Sequence, residues 1–274
     1  TAYTVFGDYF WSSLAHIILP PWFFEGDAVF TETVLSNGGR GRMPNFEGQY
    51  RALLMTGASL NYENNSAGSY KKLIPNIYNM GYHLTTSLNL DYGDKIMGNL
   101  LQESIKSSFL NFYPFSKSLK KYTGLRTPQY YEATFSKLKK EWEQKASKIE
   151  LTEAKKINNE VKKTFTSYNH PNYLNPQTII VEKTSFNEIP TFYIIKSDGS
   201  EKRIISPGFY SQSNANLSLN KDYLVWTEKA YDPRWGNVEY NNVIKFDHTQ
   251  REKKQLTFKA RYFAPEINKN GDKI

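Results

Sequence analysis

Pro20-Pro21-Trp22-Phe23-Phe24-Glu25-Gly26-Asp27-Ala28-Val29-Phe30-Thr31-Glu32 reads as the opening of a helix that carries one carboxylate, Glu25, in an aromatic setting. The proline pair sets the entry, because proline is tolerated at the first helical position and fixes φ there. Trp22, Phe23 and Phe24 supply apolar surface just before the acid. Glu25 and Glu32 are two helical turns apart, so both side chains fall on one face. A carboxylate pinned in an apolar patch is costly unless something pairs with it, and a metal ion is one such partner. The plain alternative is a solvated first-turn glutamate that favours the helix dipole.

Working outward, this helix is expected from about Trp22 to Leu35 and stops at Ser36-Asn37-Gly38-Gly39. Upstream, Val5, Phe6, Tyr9, Phe10, Trp11 and Leu14 have helix-like spacing and are expected to pack under it. His16 stands alone there, as a satisfied histidine more than a ligand. Downstream, Arg40-Gly41-Arg42 places two arginines in a short loop. They can fork onto a substrate carboxylate, or tie down neighbouring acids and helix ends.

Further helices are expected at Phe46 to Met55, from Pro75 to Tyr92, from Lys95 to Ser107 with Asp94 as its cap, and at Phe115 to Tyr122. A polar loop is expected at 58–70. Thr127 is expected to cap, and Pro128 to start, a long helix reaching at least Lys148. Between Lys137 and Lys163, lysines interleave with glutamates, the mark of a solvated face. A phosphate-tracking surface wants a purer positive field, so nucleic acid is not an expected partner despite the net charge of +8.

From about residue 168 the pattern changes to period two with frequent turns. Strands are expected at Thr178 to Lys183, Thr191 to Lys196, Lys202 to Ser206, Asp222 to Glu228, Asn242 to Asp247 and Lys253 to Thr257. Ser197-Asp198-Gly199-Ser200 is a hairpin turn. The expected fold class is therefore α+β multidomain, with an all-α region over 1–167 and antiparallel β structure over 168–274. The chain has no cysteine, which excludes disulfides and thiolate metal sites. No apolar run approaches the ~20 residues that a membrane span needs, so no transmembrane segment is expected. No signal peptide opens the chain. The high aromatic content, 20 Tyr and 17 Phe, suits surfaces that handle peptides or glycans as well as ordinary cores.

Two resemblances follow from these residues. Tyr193-Ile194-Ile195-Lys196-Ser197-Asp198-Gly199-Ser200-Glu201-Lys202-Arg203-Ile204, Leu217 to Trp226, and Gln255-Leu256-Thr257 with Pro265 to Ile274 look like blades of a TolB-like β-propeller. Asn220, Asn268 and Asn270 stand where Ser or Asp is common, and Asn keeps the turn chemistry. A propeller needs about four to eight blades to close, so the propeller is expected to be incomplete here. Over about residues 18–145 the chain resembles the C-terminal half of a gluzincin-type zinc metallopeptidase domain. Trp22-Phe23-Phe24-Glu25-Gly26-Asp27-Ala28 matches the W-x-x-E-G-x-A pattern of that class, and Tyr78-Asn79-Met80-Gly81 resembles its Tyr-x-x-Gly.

The resemblance implies zinc as the cofactor of the intact protein, Glu25 as the third zinc ligand, and Tyr78 as the hydroxyl that steadies the tetrahedral intermediate. Tyr82 is the reserve for Tyr78. Glu32 is a candidate acceptor for the N–H of a ligand histidine. Arg40 and Arg42 are candidate partners of a peptide carboxylate.

The class also needs H-E-x-x-H, and His16, His83, His170 and His248 include no such pair. That helix would precede Thr1, so the chain is either a fragment of a longer protein, which is the expectation, or a member that lost the helix and the activity; alone it is expected to bind no zinc and to hydrolyse nothing. The resemblance implies an exported, periplasmic or other bacterial envelope protein that acts on a peptide or protein substrate, with a propeller that binds substrate or an envelope partner. The alternative is a non-catalytic module of the envelope that binds protein or glycan.

Overall fold

The computed structural model of the chain describes residues 2–58, 60–108, 111–159, 164–210 and 217–274. They form two units, Thr1–Thr152 and Glu153–Ile274. The fold is α+β, with helices in the first unit and two antiparallel sheets in the second. The expected division at 167/168 would fall inside a strand. Residues 153–165 group with the sheets, and Asn159 Nδ2 donates to the Gly199 carbonyl at 3.0 Å.

The first unit contains α1 (Ala2–Ile18), α2 (Pro21–Leu35), a 3-10 turn (Arg40–Arg42), α3 (Pro44–Met55), α4 (Tyr62–Ala67), α5 (Ile77–Tyr92), α6 (Ile96–Ser107), α7 (Pro114–Thr123) and α8 (Thr127–Ala146). Apolar residues at helical spacing decide which faces turn inward. Trp22, Gly26, Val29 and Thr33 line the buried face of α2, and Met80, Leu84 and Leu88 that of α5. On α8, Tyr131, Phe135 and Trp142 do the same. Trp22 is fully buried, edge-on to Phe23 and Phe115, and its indole N–H donates to the Tyr62 hydroxyl at 3.1 Å.

Several local expectations change. The stretch 58–70 contains α4, whose cap is Asn61, accepting from the Asn64 N–H at 2.8 Å. Lys95 and not Asp94 precedes α6, and Arg126 precedes α8, with the Gln129 side chain accepting from the Arg126 N–H at 3.0 Å. The last long helix stops at Ala146, because beyond Trp142 no apolar stripe is left to bury: Ile149 and Leu151 are exposed. Residues 160–163 of the Lys/Glu-rich stretch lie outside the described residues, as do the side chains of Val5, Phe6 and Trp11. Tyr9 is exposed, and among the described residues Ala15 of α1 and Leu19 just after it join the core.

The second unit holds two four-stranded sheets, each a meander in chain order. The first is β1 (Thr166–Asn175), β2 (Thr178–Ser185), β3 (Glu188–Lys196) and β4 (Glu201–Ile205); the second is β5 (Ser218–Leu219), β6 (Tyr223–Tyr231), β7 (Glu239–Asp247) and β8 (Glu252–Gln255). They share a core of Ile180, Phe192, Leu224, Trp226, Ile244 and Phe246, with Phe192 edge-on to Trp226 at 5.2 Å. The Asp198-Gly199 turn closes β3 onto β4, with Gly199 at φ 83°. β1 is polar, contains Pro171 and breaks register between Asn169 and Asn172, which suits an edge strand and hides it from a search for alternating apolar residues.

Candidate functional site

The site is made by one close helix crossing. A Cβ at Gly26 would lie against the backbone of Gly81, and a Cβ at Gly81 would meet the Trp22 carbonyl and the Gly26 backbone. Only glycine at both positions lets α2 and α5 approach so closely. Pro20 is extended and Pro21 opens α2, while the Asn76 side chain caps α5 by accepting from the Asn79 N–H at 3.1 Å. The crossing sets Glu25, next to Gly26, beside Tyr78, one turn before Gly81.

There the Glu25 carboxylate lies near the Tyr78 hydroxyl, and its nearness and charge push the phenol up from its ordinary value. The Arg40 guanidinium lies over the Tyr78 ring, 5.2 Å from its centroid. Glu32 accepts from Arg40 Nε at 2.6 Å, from Nη2 at 3.1 Å and from the Arg40 backbone N–H at 2.9 Å. These bonds hold the Glu32 carboxyl below the usual range, although both side chains remain over a third exposed.

Arg42 turns to the end of α2. Its Nε donates to the carbonyls of Thr33 at 3.2 Å and Ser36 at 3.1 Å, and its Nη2 to Thr33 at 2.9 Å. Between the arginines, the Gly41 N–H donates to Thr33 Oγ1 at 3.1 Å. Tyr82, one turn after Tyr78, packs its ring tip on Gly41 and stands edge-on to Phe46, and burial raises its phenol.

The structure thus gathers Glu25, Tyr78, Arg40 and Glu32 into one cluster, with Tyr82 and Arg42 a turn along. Both arginines have partners within their own unit. Glu32 serves Arg40 where a histidine N–H was expected. Thr33, Gly41 and the Gly26–Gly81 contact escaped the sequence reading. The glycines of the two motifs were the available signal for the contact, since each stands inside a helix where glycine is otherwise unfavourable.

The histidines lie apart from one another in role. His16 stacks on Phe24 at 4.7 Å and its Nδ1 meets the Ser12 carbonyl. His83 is buried among the rings of Tyr50, Tyr82, Phe135 and Trp142, and burial pushes its pKa down to about 4. In the second unit, His248 Nε2 meets the Lys221 carbonyl at 2.6 Å. Among the described residues no three His, Asp or Glu side chains converge as a metal site. Glu25 alone is one ligand, and one carboxylate does not fit a zinc ion.

A groove of about 900 Å³ in the helical unit lies elsewhere, lined by residues such as Ile17, Pro21, Tyr62, Phe112, Phe115 and Arg126. None of the six candidate residues lines it, and converging polar groups rather than volume mark the Glu25 cluster as the candidate. Among the described residues no helix is long and apolar enough to cross a membrane. Compared with protein-family models, curated proteins and solved structures, the chain matches none.

Proposed function

We propose that this chain is part of a zinc-dependent metallopeptidase of the bacterial cell envelope, which hydrolyses peptide bonds when intact, and that the β unit supplies blades of a TolB-like propeller that binds substrate or an envelope partner. The observation that carries the reading is the meeting of Glu25 and Tyr78. These residues come from motifs more than 50 positions apart, and the crossing at Gly26 and Gly81 brings them near each other, which supports the reading. Among the described residues Glu25 makes no ion pair; the neighbouring arginine pairs with Glu32. An arginine on Glu25 would have favoured the binding module instead. The two consecutive meander sheets around a shared core support the propeller part.

Within this chain, Glu25 offers carboxylate oxygens beside the close crossing of Gly26 and Gly81. Tyr78, its phenol raised by that carboxylate, stays protonated at neutral pH and keeps a hydrogen to donate. Zinc would supply Lewis-acid polarisation of a carbonyl only if further ligands joined Glu25 in holding it. The remaining ligands have to come from outside residues 1–274, in this reading from an H-E-x-x-H helix.

The test is made on a longer gene product. It should contain H-E-x-x-H before Thr1, hold one zinc by metal analysis and cleave a fluorogenic peptide. Glu25→Gln should lower the zinc content and reduce cleavage at least 100-fold, the scale on which second-shell and ligand losses act. Residues 1–274 alone should hold no stoichiometric zinc. A longer chain without the motif, or full zinc content in Glu25→Gln, overturns the reading.

A further inference from the structure

Arg40, Gly41 and Arg42 form a turn whose two guanidinium groups are both occupied. The Glu32 carboxylate holds Arg40 through its backbone N–H, Nε and Nη2, and carbonyls at the end of α2 hold Arg42. The Nε/Nη2 edge on Glu32 fixes where the Arg40 guanidinium stands. Its central carbon lies over the Tyr78 ring, 5.2 Å from the centroid. The next residue, Gly41, presses on the ring tip of Tyr82, where an added Cβ would overlap Cζ and the hydroxyl oxygen. Tyr78 and Tyr82 are one helical turn apart on α5. Consecutive residues of one short turn therefore meet consecutive turns of the helix that carries both tyrosines.

We propose that Arg40, clamped by Glu32, is a positioning residue that holds the Tyr78 ring with its hydroxyl near Glu25, and that Gly41 leaves the space in which the Tyr82 ring lies. The proposal rests on Tyr78 being the hydrogen-bond donor of the site, and it gives Arg40 a role other than binding a substrate carboxylate. A phenol on the first turn of a helix has two side-chain torsions free to swing. Contact with a cation that is itself held in place restricts that freedom.

The ring contact gives a direct readout. The protein is labelled with tyrosine carrying 13C at Cζ, and Tyr78→Phe assigns the Tyr78 signal. In Arg40→Gln the signal should shift and broaden as the ring is released. Arg40→Lys keeps the charge without the two-point hold on Glu32, so the signal should stay displaced. Arg42→Gln should leave the signal where it was. An unchanged Tyr78 signal in Arg40→Gln, with helical circular dichroism intact, overturns the proposal. If Arg40→Gln does not fold, a wild-type signal in Arg40→Lys overturns it equally.

For Gly41, Gly41→Ala should destabilise the helical unit, and adding Tyr82→Leu should recover most of the loss. No recovery would remove Gly41 from the proposal. None of these measurements needs zinc or activity, so their failure is distinguishable from failure of the peptidase reading.

Discussion

Replacing Gly26 by alanine tests the helix crossing on which the site depends. In an isolated helix the change is favourable by about 1 kcal/mol, because alanine is the better helix former. Here the new methyl would run into the backbone of Gly81, and backbone cannot step aside by changing rotamer. The helices would have to part by roughly 1 Å to regain a normal carbon–carbon separation. Overfilling a packed core costs about 1–3 kcal/mol, and the upper end applies because Trp22, Met80 and Leu84, all fully buried, flank the crossing. The net expectation is a loss of roughly 2 kcal/mol, about 30-fold in the folding equilibrium of the helical unit. Urea unfolding followed by circular dichroism at 222 nm reads mainly the helices and should show a lower midpoint with an unchanged slope. Gly81→Ala should behave alike. The double variant should lose less than the two single losses added, since helices parted once have room for the second methyl. The parting should also draw Glu25 away from Tyr78 and lower the pKa of that phenol. A Gly26→Ala protein as stable as the wild type would refute the close crossing.

The buried His83 predicts an acid-sensitive core. Its folded pKa, about 4, lies below the ordinary 6.5, so between these values the unfolded chain binds more protons. Stability should therefore fall as pH drops from 6.5 towards 4, by about 3 kcal/mol from this group at the lower end; in His83→Leu, urea midpoints at pH 7 and pH 4.5 should lie closer together. Arg42→Ala should cost up to about 1 kcal/mol, since it removes an exposed cation from the carbonyl end of α2, and high salt should shrink the difference in melting temperature. In the β unit, Glu201 accepts from Lys183 Nζ at 2.5 Å and from the Tyr168 hydroxyl at 2.7 Å, with both charged side chains mostly buried. Glu201→Gln should destabilise that unit by about 1–3 kcal/mol in thermal unfolding, and Lys183→Met in the same chain should restore part of it, because the cost lies in the charge left unpaired.

Elements with strong local signals were legible along the chain. Pro21, Pro114 and Pro128 stand at helix starts, Gly93 and Gly124 at helix ends, and Asp198-Gly199 in a hairpin. The missed elements had weak signals. Strand β1 lacks apolar alternation, α4 is six residues of polar sequence, and the end of α8 has neither glycine nor proline to mark it. For the candidate site, Glu25, Glu32, Arg40 and Arg42 were singled out by residue type and spacing, and Tyr78 and Tyr82 by the resemblance. Their partners were not, because which acid an arginine meets depends on where a turn sends its side chain.

By itself, the sequence determined the class of structure, helices followed by antiparallel strands, and the set of residues around which a site could form. Periodicity, prolines and glycines act locally, so they are readable locally. Only the tertiary structure decided that Glu25 lies near Tyr78, that Glu32 belongs to Arg40, and that Gly26 and Gly81 touch. Those pairings cross α2, α5 and the turn after α2, and they are set by how closely two backbones can approach, a property of the pair that neither segment carries alone.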